Sequence, residues 1–295
     1  MRNWLAIVNR RSGGVRSPRK LVPILRGIRQ FASKMVFTEY PGHARQLAIE
    51  AGEFDGIAVV GGDGTLLEVL NGCLHREQRL AIIPTGRGNS LARDLGLYPP
   101  ALSFEAIRSD RSLRIDLMDV FYRETGGGWR RLLSASTVAV GYPAAVVRSA
   151  GGRFRRFGTL GYAAAAACLR PASTEMRVVE GAGSPGRKLL TGFIASNTRH
   201  LGNFLSLPRA SCHDGHFDVM ELHSGFLRQT VHNLSMLSGL QFYSPATFAT
   251  KTKTALALSR SQELMVDGEL IAGVTSLRIR VQASAMEFVC GRQQP

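Results

Sequence analysis

Cysteine is scarce: four residues in 295, at positions 73, 168, 212 and 290. None forms a C-x-x-C pair, so neither a zinc site of that spacing nor a disulfide framework is indicated. A reducing, cytoplasmic location is the expectation. Long apolar runs are also missing. The first, Trp4 to Val8, meets Arg10 and Arg11 almost at once and does not read as a secretory leader. The most apolar stretch, Leu132 to Val147, is broken by Ser134, Ser136, Thr137, Gly141 and Pro143, which leaves nothing able to span a bilayer. No G-x-x-x-x-G-K-[ST] occurs, which excludes a Walker P-loop. Acidic residues number only 22 against 37 basic ones, a net charge of +15. Lysine stands at five positions only, so arginine supplies 32 of those cations. Such an excess suits an anionic partner, whether nucleotide, nucleic acid or acidic membrane, or else a plain soluble surface.

What is present alternates. Apolar runs long enough for one strand fall at 4–8, 35–38, 57–60 and 80–83. Between them, helical spacing recurs at Leu21, Val22, Ile24, Leu25 and Ile28, at Ala44, Leu47, Ala48 and Ala51, and at Leu66, Leu67, Val69 and Leu70. Strand–helix alternation with short links predicts a parallel sheet covered on both faces. Near residue 112 the pattern changes. Runs at 113–121, 129–139, 176–179, 189–195, 217–222, 255–259 and 277–281 read as strands, with Gly126 to Gly128 as a hairpin turn. One Ala-rich helix, 160–169, interrupts them. The predicted class is α/β plus β: a parallel-sheet domain over 1–111, then an antiparallel, β-rich domain over 112–295.

Three loops after strands carry the chemistry. Gly61-Gly62-Asp63-Gly64-Thr65 leads from a strand into a helix. Its glycines let the backbone approach a ligand, and the helix behind offers unpaired N–H groups and a positive dipole end to phosphate. Asp63 would repel an anion, so it reads as a proton acceptor, a partner of Mg²⁺-bound water, a ribose contact or a plain cap. Pro84-Thr85-Gly86-Arg87-Gly88-Asn89-Ser90 follows the next strand. Two such loops at neighbouring strand ends make a shared ligand crevice, and Arg87 brings a planar cation suited to phosphate. Asn9-Arg10-Arg11-Ser12-Gly13-Gly14 follows the first strand and would bring backbone N–H groups and two arginines to a triphosphate.

These loops, with Pro84-x-Gly86-x-x-Asn89-x-x-Ala92-Arg93, resemble the diacylglycerol kinase catalytic-domain family of bacterial lipid kinases, sphingosine kinases and ceramide kinases. Later stretches extend the resemblance over nearly the whole chain: Asn197 to Gly202, Asp214-Gly215-His216-Phe217-Asp218-Val219, and Met265-Val266-Asp267-Gly268-Glu269. The resemblance implies an NAD-kinase-like nucleotide-binding domain, a β-sandwich domain, and an active site in the cleft between them. It implies transfer of the γ-phosphoryl group of ATP to a lipid hydroxyl, with ATP and Mg²⁺ as cofactors. Thr38 and the loops at 61–67 and 85–89 would hold ATP. Asp267 would be the general base, with Glu269 beside it as a further catalytic candidate and Asp63 as the rival. Ser211, Asp214 and His216 fall where bacterial members hold a structural Mg²⁺, and Asp116 where a family Asp joins a water network around a metal.

The sequence departs from the family pattern at Arg87, at Ser90 and in Gly141-Tyr142-Pro143-Ala144, which lacks the bacterial Asp. Gly88-Asn89-Ser90-Leu91-Ala92 looks more like the sphingosine kinase branch. The implied partner is a lipid at the inner membrane face, with anionic headgroups in reach of Arg148, Arg153, Arg155 and Arg156 and their neighbours Phe154 and Phe157. No nucleic-acid module is recognised, and a homodimer stays open. The alternatives are a sphingosine-type or other lipid kinase, an NAD kinase-like enzyme, and a non-catalytic lipid or nucleotide sensor.

Overall fold

Trp4–Val8 is buried at every position (β1), as a strand in the middle of a covered parallel sheet must be. The computed structural model describes residues 3–13, 17–73, 77–154, 160–169, 173–180, 186–201, 205–207, 209–223 and 248–291. They form two compact units, Met1–Asp116 with Ser284–Pro295, and Leu117–Ala283.

In the first unit, helix α1 (Pro18–Ile28) starts at a proline, which the first helical turn tolerates. Strand β2 (Ala32–Phe37), helix α2 (His43–Glu50), strand β3 (Gly56–Gly61), helix α3 (Asp63–Gly72) and strand β4 (Arg79–Pro84) follow. β1 pairs in parallel with β2 on one side and β3 on the other, and β3 pairs in parallel with β4. β3 and β4 are buried throughout, whereas edge strand β2 is half-exposed. Helices α4 (Ser90–Asp94) and α5 (Pro100–Arg108) complete the unit.

The parallel order puts the carboxyl ends of β1, β3 and β4 side by side. The expected ligand loops therefore meet at one rim. Backbone bonds tie that rim together: Asn9 N–H donates to Val60 O at 2.9 Å, Thr38 N–H to Val8 O at 3.0 Å, and Thr85 N–H to Gly61 O at 2.8 Å.

Strand β5 (Ser112–Glu124) runs from the first unit into the second. There β6 (Trp129–Ser134) returns beside it as the expected hairpin. β7 (Thr137–Gly141), α6 (Tyr142–Gly151), α7 (Leu160–Cys168), β8 (Thr174–Glu180), β9 (Gly186–Ser196), β10 (His200–Leu201), β11 (Leu205–Ser206), β12 (Phe217–His223), β13 (Phe248–Lys251) and β14 (Lys253–Val266) follow. Their described pairings are antiparallel, in the order β13-β12-β9-β7-β14. The family resemblance implies a sandwich. Among the described residues β9 and β14 each pair with β7 at one end and β8 at the other, which closes a circuit of four strands. Tyr142 and Ala144 of α6 pack on it against Ile194, Met220, Leu222 and Met265.

Strand β15 (Glu269–Val289) pairs antiparallel with β14 and then returns to the first unit, where Phe288 lies parallel to Leu80 of β4. Cys290 N–H donates to Arg111 O at 3.1 Å and Gly291 N–H to Leu95 O at 2.8 Å, while buried Arg79 holds both Asp110 and Glu287. The last described residues thus belong to the first unit, beyond the single boundary that composition suggested.

Candidate active site

The first glycine loop and the second touch backbone to backbone. A Cβ on Gly62 would lie 2.9 Å from Gly86 Cα, and one on Gly86 would collide with Gly62 Cα. Only glycine at both places permits the approach. Asn89 closes the second loop on itself: its Oδ1 accepts the Gly86 N–H at 3.0 Å and its Nδ2 donates to Gly86 O at 2.9 Å. It sits at φ 54°, left-handed backbone that Asn tolerates better than most residues.

Asp63 joins these loops. Its Oδ2 accepts the Asn89 N–H at 2.8 Å and its Oδ1 the Ser90 N–H at 2.9 Å. The residue keeps partial exposure, but its carboxylate is turned onto these two amides. Burial pushes its pKa up, opposed by the N–H groups of Asn89, Ser90 and Asp63 itself and by the Arg93 guanidinium. Asp63 therefore latches the two loops and also holds a proton more readily than an ordinary carboxylate.

The third loop stands beside them. Asn9 Nδ2 donates to Thr65 Oγ1 at 2.9 Å, and Asn9 Oδ1 accepts the Arg11 N–H at 2.9 Å. Ser12 is buried, and Gly13 lies against the Arg87 side chain, whose Cγ would be 3.3 Å from a Cβ there. Arg10 stacks on the Phe37 ring at 4.3 Å. Among the described residues Arg10, Arg11 and Arg87 have no acidic partner. The Thr85 hydroxyl is buried with no hydrogen-bond partner. A polyphosphate fits this donor set: an unsatisfied buried hydroxyl, unpaired cations and a close-packed glycine backbone. Asn9, Ser12, Gly13, Thr38, Gly61, Gly62, Asp63, Gly64, Thr65, Thr85, Gly86, Arg87 and Asn89 are all within this first unit.

Asp267, in the second unit, sits in the expected turn between β14 and β15. It and Gly268 both have positive φ, 46° and 92°, as a primed two-residue hairpin turn requires. The carboxylate is buried. Its Oδ1 accepts from Ser134 Oγ at 2.8 Å, Thr137 N at 2.7 Å and Ser136 N at 3.1 Å, and its Oδ2 from Ala135 N at 2.9 Å. Around it lies a buried hydroxyl cluster: Ser136 Oγ is 2.9 Å from Thr198 Oγ1, Thr137 Oγ1 is 3.3 Å from Ser196 Oγ, and Ser196 Oγ donates to Thr198 O at 2.9 Å. Sequence reasoning missed this cluster. Its only trace was that Ser134, Ser136 and Thr137 interrupt an apolar run. Glu269, two residues on, is exposed.

The residues that the resemblance assigns to metal each have local partners. Asp214 Oδ1 accepts the His216 N–H at 2.9 Å, and His216 Nδ1 is 2.7 Å from Asp214 O, so both are engaged in a local turn. Ser211 Oγ is 3.2 Å from His213 Nδ1. Asp116 belongs to the other unit, where its Oδ1 accepts the Ser284 N–H at 2.7 Å. Among the described residues no group of three or more His, Cys, Asp or Glu side chains is arranged to hold a metal ion. Asp218, nearby, has its pKa raised by burial and by Asp214, with Thr250, Arg209 and His216 opposing.

Comparison with known proteins agrees with the geometry. Residues 3–120 match the family model described as diacylglycerol kinase catalytic domain. The diacylglycerol kinase of Bacillus subtilis (strain 168) is 29% identical over 248 residues, 79% of this chain and 77% of that one. Mouse sphingosine kinase 1 is 30% identical over 146 residues, 43% of this chain. The match spans 37% of that kinase and 19% of its rat counterpart, less than half of either length. The solved structure of a diacylglycerol kinase from Bacillus anthracis str. Sterne superposes with a TM-score of 0.75 at 20% identity, covering 98% of this chain and 97% of that one. At that identity the likeness concerns the fold. Of the described residues, no helix is long and apolar enough to cross a membrane.

Proposed function

We propose, since residues 3–120 match the model of the diacylglycerol kinase catalytic domain, that this chain transfers the γ-phosphoryl group of ATP to the hydroxyl of a lipid such as diacylglycerol. The observation that carries the reading is the rim where Gly62 and Gly86 touch, with Thr85's buried hydroxyl and with Arg10, Arg11 and Arg87, which have no acidic partner among the described residues, around it. Phosphoryl transfer asks a protein mainly for positioning and charge neutralisation, and this rim offers both. Mg²⁺, where bound with ATP, would supply further neutralisation of phosphate charge.

The acceptor hydroxyl must lose a proton. We assign that proton to Asp267, whose four donors fix the direction of its carboxylate, and give Asp63 the task of setting the two glycine loops. Asp63 is the rival because burial already favours its protonated form. Asp267→Asn should abolish turnover and Asp63→Asn should mainly raise the KM for ATP; the reverse pattern moves the base to Asp63.

The test of the whole reading is labelled ATP with detergent-dispersed diacylglycerol, sphingosine and ceramide. Label in one of these lipids is expected. No label in any lipid, with NADP⁺ formed from NAD⁺, would make the chain an NAD kinase-like enzyme. Nucleotide binding without turnover on any acceptor would make it a sensor.

A further inference from the structure

One face of β5, β6 and β15, within the second unit, carries a ladder of arginines and rings that neither site uses. Pairing sets Phe121 opposite Arg131 and Arg123 opposite Trp129. The guanidinium carbons of Arg123 and Arg278 lie 5.9 and 4.6 Å from the Trp129 ring centre. Those of Arg131 and Arg280 lie 5.8 and 5.4 Å from that of Phe121. Beneath them Asp119, with a fully buried side chain, accepts Arg131 Nε at 2.6 Å, Arg280 Nε at 2.9 Å and Gln282 Nε2 at 3.0 Å. On β15 the intervening Leu277 and Ile279 are buried, so Arg278 and Arg280 share the outward face. Lys253 of β14, opposite Arg280, extends the row. One buried carboxylate thus fixes two arginines, while Arg123 and Arg278 have no acidic partner among the described residues. Trp129 is 42% exposed.

We propose that this face docks on an anionic lipid bilayer. Four arginines over one buried carboxylate among the described residues are complementary to acidic headgroups, and each guanidinium edge donates two N–H bonds at once to phosphate oxygens. A half-exposed indole suits the headgroup level of a membrane. Nucleic acid fits less well, because the ring faces are already covered by guanidiniums and leave no bare platform for bases. A second copy fits less well too, because a two-fold contact would set the same cations against one another. The inference rests on the lipid-acceptor reading only in choosing a bilayer among polyanions.

Co-sedimentation with vesicles, without nucleotide, tests it. The full chain should bind phosphatidylglycerol–phosphatidylcholine vesicles and leave pure phosphatidylcholine vesicles alone. Arg123→Gln with Arg278→Gln should weaken binding about 25-fold, roughly fivefold for each charge removed. Trp129→Ser should weaken it as well. Arg29→Gln with Arg108→Gln, an equal loss of charge on the first unit, should stay within about twofold of wild type. Equal weakening by both pairs, wild-type binding to neither vesicle, or tighter binding to a single-stranded oligonucleotide would overturn the proposal. Phosphorylation of detergent-dispersed lipid reports on the kinase reading separately. Activity there without vesicle binding overturns the docking face alone, and patch-dependent vesicle binding without activity overturns the kinase alone.

Discussion

Asp63 and Asp267 are both acidic residues inside glycine-bearing turns, yet their surroundings set them different tasks. Burial raises the pKa of Asp63, so the folded chain binds that proton more tightly than the unfolded one does. Its contribution to stability is therefore full below the ordinary carboxylate range and is lost as the pH rises through the raised folded value. Asp63→Asn removes this dependence. Urea unfolding from about pH 3.5 to 7 should show the stability difference moving steadily in the variant's favour; a constant difference, or the opposite drift, would contradict the account. Asp267 holds four donors, three of them backbone amides of the β6–β7 turn. Asp267→Ala strands all four in a buried place and should cost about 3–5 kcal/mol by chemical denaturation. Asp267→Asn tolerates the same left-handed backbone and should cost clearly less. Equal stability of Asp267→Ala and wild type would mean the network does not hold the turn.

Among the elements, α2 depends on a residue outside it. Glu68 of α3 accepts the N–H groups of Gly42 at 2.9 Å and Ala44 at 3.1 Å, doing what a cap within α2 would do. Glu68→Ala should lower stability by about 1 kcal/mol, as cap losses do, readable as a shifted urea midpoint; an unchanged midpoint would assign capping to water instead. This role left no local mark in the sequence, because the partners are 24 and 26 residues apart. The strands before each ligand loop were legible, since burial on both faces demands unbroken apolar runs such as Ile57–Val60. Helix α6 was not, for Tyr142–Gly151 continues an apolar stretch whose first part is strand. Nor was the split of 129–139 into β6 and β7, where Ala135 and Ser136 turn the chain to reach Asp267. Of β15 only the middle, 277–281, was legible, because there buried Leu277 and Ile279 alternate with exposed Arg278 and Arg280.

For the whole molecule, the net charge of +15 divides into cations with distinct tasks. Arg79 is spent inside the first unit on Asp110 and Glu287, and Arg131 and Arg280 on Asp119. In the reading proposed above, Arg10, Arg11 and Arg87 serve a ligand at the strand ends, and Arg123 and Arg278 a membrane surface. The glycine loops could be read from sequence because their function needs a backbone with no side chain. The long-range carboxylate contacts could not, because hydrogen bonds over such separations follow from the fold. The central claim is that the rim at β1, β3 and β4 grips the phosphate tail of a nucleotide. Calorimetric titration of wild type and Gly86→Ala with ATP and with AMP tests it most directly. The account predicts that ATP binds wild type at least about tenfold more tightly than AMP does, and that the added methyl, colliding with Gly62, removes most of that preference. Equal affinity for the two nucleotides, or a Gly86→Ala variant that folds and binds ATP as wild type does, would contradict it.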